Sequence, residues 1–273
     1  VLGWEELELE VVRDAKNQMI TVCFIENVDA MGIHTGDSFC TAPMMTISPE
    51  LQARLQKYSY DIVEAIQVIG GTNVQFAHNP ETGRVVVIEI NPRTSRSSAL
   101  ASKATGFPIA LISSMLAAGL TLDEIPYWRE RTLDKYTPTG DYVVVKFARW
   151  AFEKFGGAID ELGTQMRAVG EVMSIGKTYK EALQKAIRSL EINRYGLGFA
   201  KNFHDKSLDE LMGLLSKPMS ERQFIMYEAL RKGACVEELH ARTHIKAWFI
   251  EQMKELVEME EEILGYKDRD LPD

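Results

Sequence analysis

The sequence predicts an α+β chain, an antiparallel sheet with helices followed by an all-α stretch. Three observations carry this reading. Within residues 6–12, glutamate and aliphatic side chains alternate up to Val11 and Val12 closes the run, and 19–25 form a second apolar run after a polar turn, which is the pattern of an antiparallel hairpin. Residues 73–78 and 84–91 repeat that pattern around Asn79-Pro-Glu-Thr-Gly83. From about Tyr195 the strand-like runs vanish and apolar residues recur at helical spacing.

In the first strand Leu7, Leu9 and Val11 share one face and Glu6, Glu8 and Glu10 the other, so it reads as half-buried. A glycine-punctuated loop, Asp29 to Asp37, follows the hairpin. Ser48-Pro49-Glu50 supplies an N-cap with proline in the first turn and opens a helix through about Val68. After the second hairpin, helices are expected over 97–105 and 108–118, a strand over 141–147 and a helix over 178–191. Beyond the expected boundary, which divides the chain into 1–194 and 195–273, helices fall at 207–215, 221–232, 236–242 and 246–264. Ser207 and Ser220 are the expected caps of the first two. Trp128, Trp150 and Trp248 read as packing residues, and 267–273 as a polar end.

A length of 273 residues, 45% of them hydrophobic and 26% charged, sustains a core without disulfides or structural metals. The net charge of -9 argues against a nucleic-acid surface, which needs a basic face, but not against a local phosphate pocket. Cys23, Cys40 and Cys235 make no CxxC pattern and suit reduced thiols in a cytoplasmic setting. No apolar run approaches the roughly 20 residues that span a bilayer, and there is no signal peptide, so no membrane partner is expected. The chain opens on Val1, almost directly into a strand, and is expected to be a piece of a longer one.

The run Ile88-Glu-Ile-Asn-Pro-Arg93 carries the most chemistry. Alternation places Glu89 and Asn91 on one face. If His78 pairs with Arg84, Gln75 lies opposite Val87, on the same face as Glu89 and diagonal to it. One carboxylate and two amide oxygens suit a hard divalent cation completed by phosphate and water, and Arg93 adds a fork of donors for an anion. Spacing alone leaves a second reading open, in which Glu89 and Asn91 are only strand-end residues. His240 and His244 stand one helical turn apart but lack the intervening glutamate of a zinc-protease helix, and a solvated helix face is the better account.

Several blocks together closely resemble the large-chain family of carbamoyl-phosphate synthases, in the first, carboxyphosphate-forming half. They are Gly3-Trp-x-Glu-x-Glu-x-Glu-Val-Val-Arg-Asp14, Asp29-Ala-Met-Gly-Ile-His-Thr-Gly-Asp-Ser38, Asn73-Val-Gln-Phe-Ala77, Ile88-Glu-Ile-Asn-Pro-Arg93 and Ser95-Arg-Ser-Ser-Ala-Leu-Ala-Ser-Lys-Ala-Thr-Gly-Phe-Pro108. The match continues through Thr164-Gln-Met-Arg167 and into Trp248-Phe-Ile-Glu-Gln-Met-Lys-Glu-Leu256. Phe147-Ala148 departs from the family's usual apolar residue and proline.

The resemblance implies the C-terminal lobe of an ATP-grasp fold over 1–194 and an oligomerisation domain over 195–273. It implies ATP with two Mg or Mn ions, Gln75 and Glu89 on one ion and Glu89 and Asn91 on the other. Catalytic roles are implied for Arg93, Asn91 and Glu89, with Arg93 on the phosphate and bicarbonate side. Glu6 is implied at the ribose, Val1 beside adenine, and Gly32, Ile33 and His34 in a loop whose backbone donors cradle phosphate. The implied activity is phosphorylation of bicarbonate and capture of ammonia, leading to carbamoyl phosphate for arginine and pyrimidine synthesis. The resemblance also implies a small glutamine amidotransferase partner chain and self-association through the helical part. Residues 1–273 alone are expected to be inactive. Two rivals are weighed against this: a biotin-dependent carboxylase, disfavoured by the 95–108 block and the helical tail, and a non-catalytic assembly module.

Overall fold

A computed structural model describes residues 1–127, 131–198 and 202–270. Trp128 and residues 271–273, read above as packing and as part of a polar end, lie outside the described residues. Seven strands form one antiparallel sheet: β1 (Glu5–Arg13), β2 (Met19–Asn27), β3 (Cys40–Ala42), β4 (Gly70–His78), β5 (Val85–Asn91), β6 (Val143–Arg149) and β7 (Gly170–Gly176). Their order across the sheet is β5-β4-β1-β2-β3-β6-β7, which leaves β5 on one edge. Both expected hairpins form, and β3 and β7 are additions that the sequence did not announce. β3 has only three residues, too few for a period of two to be visible.

On one face of the sheet, Leu7, Leu9, Val74 and Phe76 pack with Leu55 and Val63 of helix α1 (Pro49–Ala65). Ser48 caps α1 as expected, its side chain accepting from the Leu51 amide. On the other face, α2 (Arg96–Thr105) and α3 (Ile109–Ala117) bury Leu100, Ile109, Ile112 and Leu116 against Val22, Ile25, Cys40 and Val144. α4 (Tyr179–Ser189) lies against β6 and β7. Its buried residues Ala182, Leu183 and Ile187 belong to the same core as Phe224, Ile225, Ile250 and Met253 of the C-terminal helices. Those helices are α5 (Leu208–Leu214), α6 (Arg222–Arg231), α7 (Val236–Thr243) and α8 (Ala247–Gly265). Among the described residues no single helix is long and apolar enough to cross a membrane.

Two local expectations are corrected. β1 is not half-buried, because Glu6, Glu8 and Glu10 are 3%, 0% and 1% exposed. Helices α2 and α3 cover much of their face as well, and polar partners replace water there. Ser220 does not cap α6. Its amide and hydroxyl are engaged by Asp160, and the N-cap is Glu221 with no side-chain cap bond. His240 and His244 are both exposed, in keeping with the solvated surface expected of them. His244 ends α7 in the left-handed conformation, while His240 Nδ1 lies 2.7 Å from the Ile245 carbonyl oxygen.

Candidate functional site

The β4–β5 hairpin differs from the expected register in a way that tightens the site. His78 pairs with Val85 rather than Arg84, and β5 carries an extra residue, Ile88, between the pairs Phe76–Val87 and Gln75–Glu89. This bulge sets Gln75 directly opposite Glu89, not diagonal to it, and sets Asn73 opposite Asn91. Gln75, Glu89 and Asn91 therefore share one face. Asn91 Nδ2 donates to Glu89 Oε1 at 2.9 Å, and Arg93 Nη2 donates to Asn91 Oδ1 at 3.0 Å. Gln75 is buried and donates to Asn73 Oδ1, whereas Glu89 and Arg93 face solvent on the edge strand.

Beside this row on the same face runs the glutamate ridge of β1. Glu8 receives hydrogen bonds from Asn27, Asn73 and Ser97 at 2.8, 2.9 and 2.8 Å. Glu10 receives them from Asn73 and Ser98, both at 3.0 Å. The donors Ser97 and Ser98 lie in the first turn of α2, whose N-terminal dipole favours negative charge there. Glu6 differs, because its Oε2 is buried without a partner. Burial, reinforced by the charge of Glu8, pushes its carboxyl up to about 9. An unpartnered buried carboxyl fits a ligand that brings hydroxyl groups.

Burial also pushes Glu10 up to about 8, opposed by the Ser98 hydroxyl and reinforced by Glu8. Between the unfolded value of 4.5 and about 8 the folded chain then holds a proton that the unfolded chain has lost. Stability therefore falls as pH rises through that window, by up to roughly 1.4 kcal/mol per pH unit. Glu10→Gln is expected to make the decline shallower, measured as urea unfolding free energies across the window. Identical slopes for both proteins would refute the assignment.

The loop after β2 folds over this face. Thr35 bridges it, accepting at its carbonyl from Lys146 Nζ (2.9 Å) and at Oγ1 from Gln75 Nε2 (3.4 Å). Asp37 accepts from the amides of Arg167 and Ala168, fastening the loop to the segment before β7. The N-terminus abuts the same loop: Gly3 donates to the Met31 carbonyl and Met31 to that of Trp4. Gly32 has a φ of +126°, which favours glycine, and a side chain there would have to displace the exposed Leu2 side chain. Val1 is exposed at this edge. One expectation needs revision, since the His34 amide donates to the Gly163 carbonyl at 2.8 Å and is not free to cradle an anion. The His34 ring accepts from the Gly36 amide at 2.9 Å.

Lys146 was not singled out from the sequence, although a lysine inside Val143-Val-Val-Lys-Phe-Ala148 is the signal that could have found it. It is 1% exposed on the glutamate face. Burial opposes its charge, but Cys40, Glu8 and Glu171 outweigh that and raise its pKa.

A divalent cation fits this row in part. The oxygen donors are one carboxylate and two amides, and among the described residues no three His, Cys, Asp or Glu side chains form a ready cage. A cation here needs oxygens from phosphate and water as well. The amide of Asn91 must also turn its oxygen toward the metal, because its nitrogen now faces Glu89.

Residues 1–125 match the family model of the carbamoyl-phosphate synthase L chain ATP-binding domain, and 171–273 match that of the large-chain oligomerisation domain. The chain is 51% identical over 271 residues to the carbamoyl phosphate synthase large chain of Archaeoglobus fulgidus, covering 98% of this chain and 25% of that one. The chain belongs to the carbamoyl-phosphate synthase large-chain family. It is also 50% identical to the N-terminal section of the Methanopyrus kandleri large chain, covering 97% of this chain and 48% of that section. It thus spans about a quarter of the full large chains and about half of that section.

Among solved structures, N5-carboxyaminoimidazole ribonucleotide synthetase from Thermotoga maritima superposes with a TM-score of 0.52 at 17% identity, over 70% of this chain and 53% of that one. Rhizobium etli pyruvate carboxylase superposes with a TM-score of 0.52 at 14% identity, over 69% of this chain and 22% of that one. At such identities these likenesses show the fold alone, and that fold is ATP-grasp. The family is one of ATP-binding ligases.

Proposed function

We propose that this chain forms the metal- and nucleotide-holding face of the carboxyphosphate-forming site of a carbamoyl-phosphate synthase. The observation that supports it best is the row Gln75, Glu89 and Asn91 on one sheet face, with Arg93 bonded to its end. In this reading Gln75 and Glu89 hold one Mg or Mn ion, and Glu89 and Asn91 hold a second. Such ions, bound with ATP, neutralise phosphate charge. The Glu6 carboxyl takes the ribose hydroxyls, the backbone at Val1 borders adenine, and Gly32, Ile33 and His34 close over the nucleotide.

A bicarbonate oxygen attacks the γ-phosphorus, ADP leaves, and carboxyphosphate forms. Ammonia then adds to the carboxyl carbon, phosphate leaves, and carbamate results. The Arg93 fork faces the anionic reactants. No side chain acts as a nucleophile, so the protein's work is placement and charge compensation. The whole protein carries the carbamate on to carbamoyl phosphate, a small chain supplies ammonia from glutamine, and residues 195–273 mediate self-association.

The test is an acceptor assay on a full-length large chain containing this segment. Bicarbonate-dependent ADP release that yields carbamoyl phosphate from ammonia is expected. Carboxylation of biotin in place of ammonia would replace this reading with that of a carboxylase.

A further inference from the structure

The loop that carries Gly32, Ile33 and His34 is held at its foot by a residue from the far end of the chain. Asp29, 1% exposed, accepts from the Phe39 amide (3.1 Å) and the Ser38 hydroxyl (3.4 Å), which pins the two ends of the loop together. Its remaining acceptor capacity goes to Arg222 of α6. Arg222 Nε donates to Asp29 Oδ1 at 2.8 Å and Nη2 to Oδ2 at 2.5 Å, 193 residues away in sequence. Arg222 is 3% exposed, its Nη1 donates to the Met219 carbonyl, and its guanidinium lies 5.0 Å from the Phe39 ring centroid and 5.5 Å from that of Trp150. Only an arginine fork meets a carboxylate at two points while stacking on aromatic rings.

Ile33 packs on the core to which the helical part belongs, and a gap remains beside it. A cavity of about 210 Å³ separates Gly32 and Ile33 from Leu215, Pro218, Arg242 and Ile245 of the helical part. Further along, the loop is tied from Thr35 to Lys146 and Gln75, from His34 to Gly163 and from Asp37 to Arg167 and Ala168, and at its foot the buried ion pair ties it to the helical part.

We propose that Arg222 is a positioning residue through which the helical part sets the nucleotide loop. The effect on the site rests on the reading of Gly32–His34 as nucleotide-facing; the hold on the loop does not. Two variants test it. Arg222→Lys keeps the charge and loses the fork, and the double change Asp29→Asn with Arg222→Gln avoids leaving a buried charge unpaired. In both, amide hydrogen exchange across Ala30–Gly36 is expected to rise at least about tenfold while β1 and β4 stay protected. In a full-length large chain containing this segment, the KM for ATP in bicarbonate-dependent hydrolysis is expected to rise about tenfold with kcat within about twofold.

Unchanged exchange in the loop, or exchange that rises evenly through α6 and the sheet, overturns the proposal. So does a rise confined to the loop with an unaltered KM. If the unmodified full-length chain hydrolyses no ATP, the functional reading above fails, and the exchange result alone decides whether Arg222 holds the loop.

Discussion

Replacing Glu89 by glutamine in a full-length large chain that contains this segment should lower kcat for bicarbonate-dependent ATP hydrolysis by roughly 10²–10³-fold or more. Glu89 is the one carboxylate in a row otherwise made of amides, so the charge available to two cations disappears with it. The fold should hardly notice. Glu89 lies exposed on the edge strand, and glutamine keeps an oxygen able to accept from Asn91 Nδ2. The measurement is steady-state ADP release over a range of Mg concentrations, with circular dichroism as the check on folding. A folded variant that kept a tenth or more of the activity would remove Glu89 from the site.

The second large effect should be on stability. Lys146→Met should cost about 3–5 kcal/mol, because it strips the buried cation from among Glu8, Glu171 and Cys40 and leaves carboxylates uncompensated. It also removes the bond to the Thr35 carbonyl, a tie between the loop and the sheet beside that from Gln75. Urea unfolding of the 273-residue chain reads the loss. A cost below about 1 kcal/mol would show that the neighbouring carboxylates simply take up protons when the lysine is gone. Burial already drives two carboxyls of this face, Glu6 and Glu10, toward protonation.

The elements that the sequence announced were those whose signals are local. The period of two from residue 6, the turn at 79–83, the Ser48-Pro49 start of α1 and the Ser207 cap each depend on a few neighbouring residues, and each formed. The row Gln75, Glu89 and Asn91 was legible for the same reason, since alternation within one hairpin sets its facing. Its register was not. A bulge at Ile88 has no composition of its own, and the five-residue turn fits His78–Arg84 pairing as well as the pairing that forms.

Burial of Glu8 and Glu10 was hidden for another reason. Alternating polar residues look identical whether they meet water or hydroxyls, and the hydroxyls of Ser97 and Ser98 arrive from nearly ninety residues away. Asp29 with Arg222, and Lys146 with Thr35, are longer-range still. Single-residue contacts between distant segments leave no periodic trace.

The bulge in β5 also governs where this strand can change length. Val87 and Glu89 are two apart in sequence, yet their partners Phe76 and Gln75 are adjacent, so Ile88 breaks the odd–even count between the Phe76 side and the Gln75 side. Shortening the strand by one at Ile88 would restore a regular ladder and leave every side chain facing as it does now. The same deletion at Ile90 would turn Asn91 and everything after it to the wrong side. Insertions and deletions among related chains should therefore collect at the first position and be absent from the second.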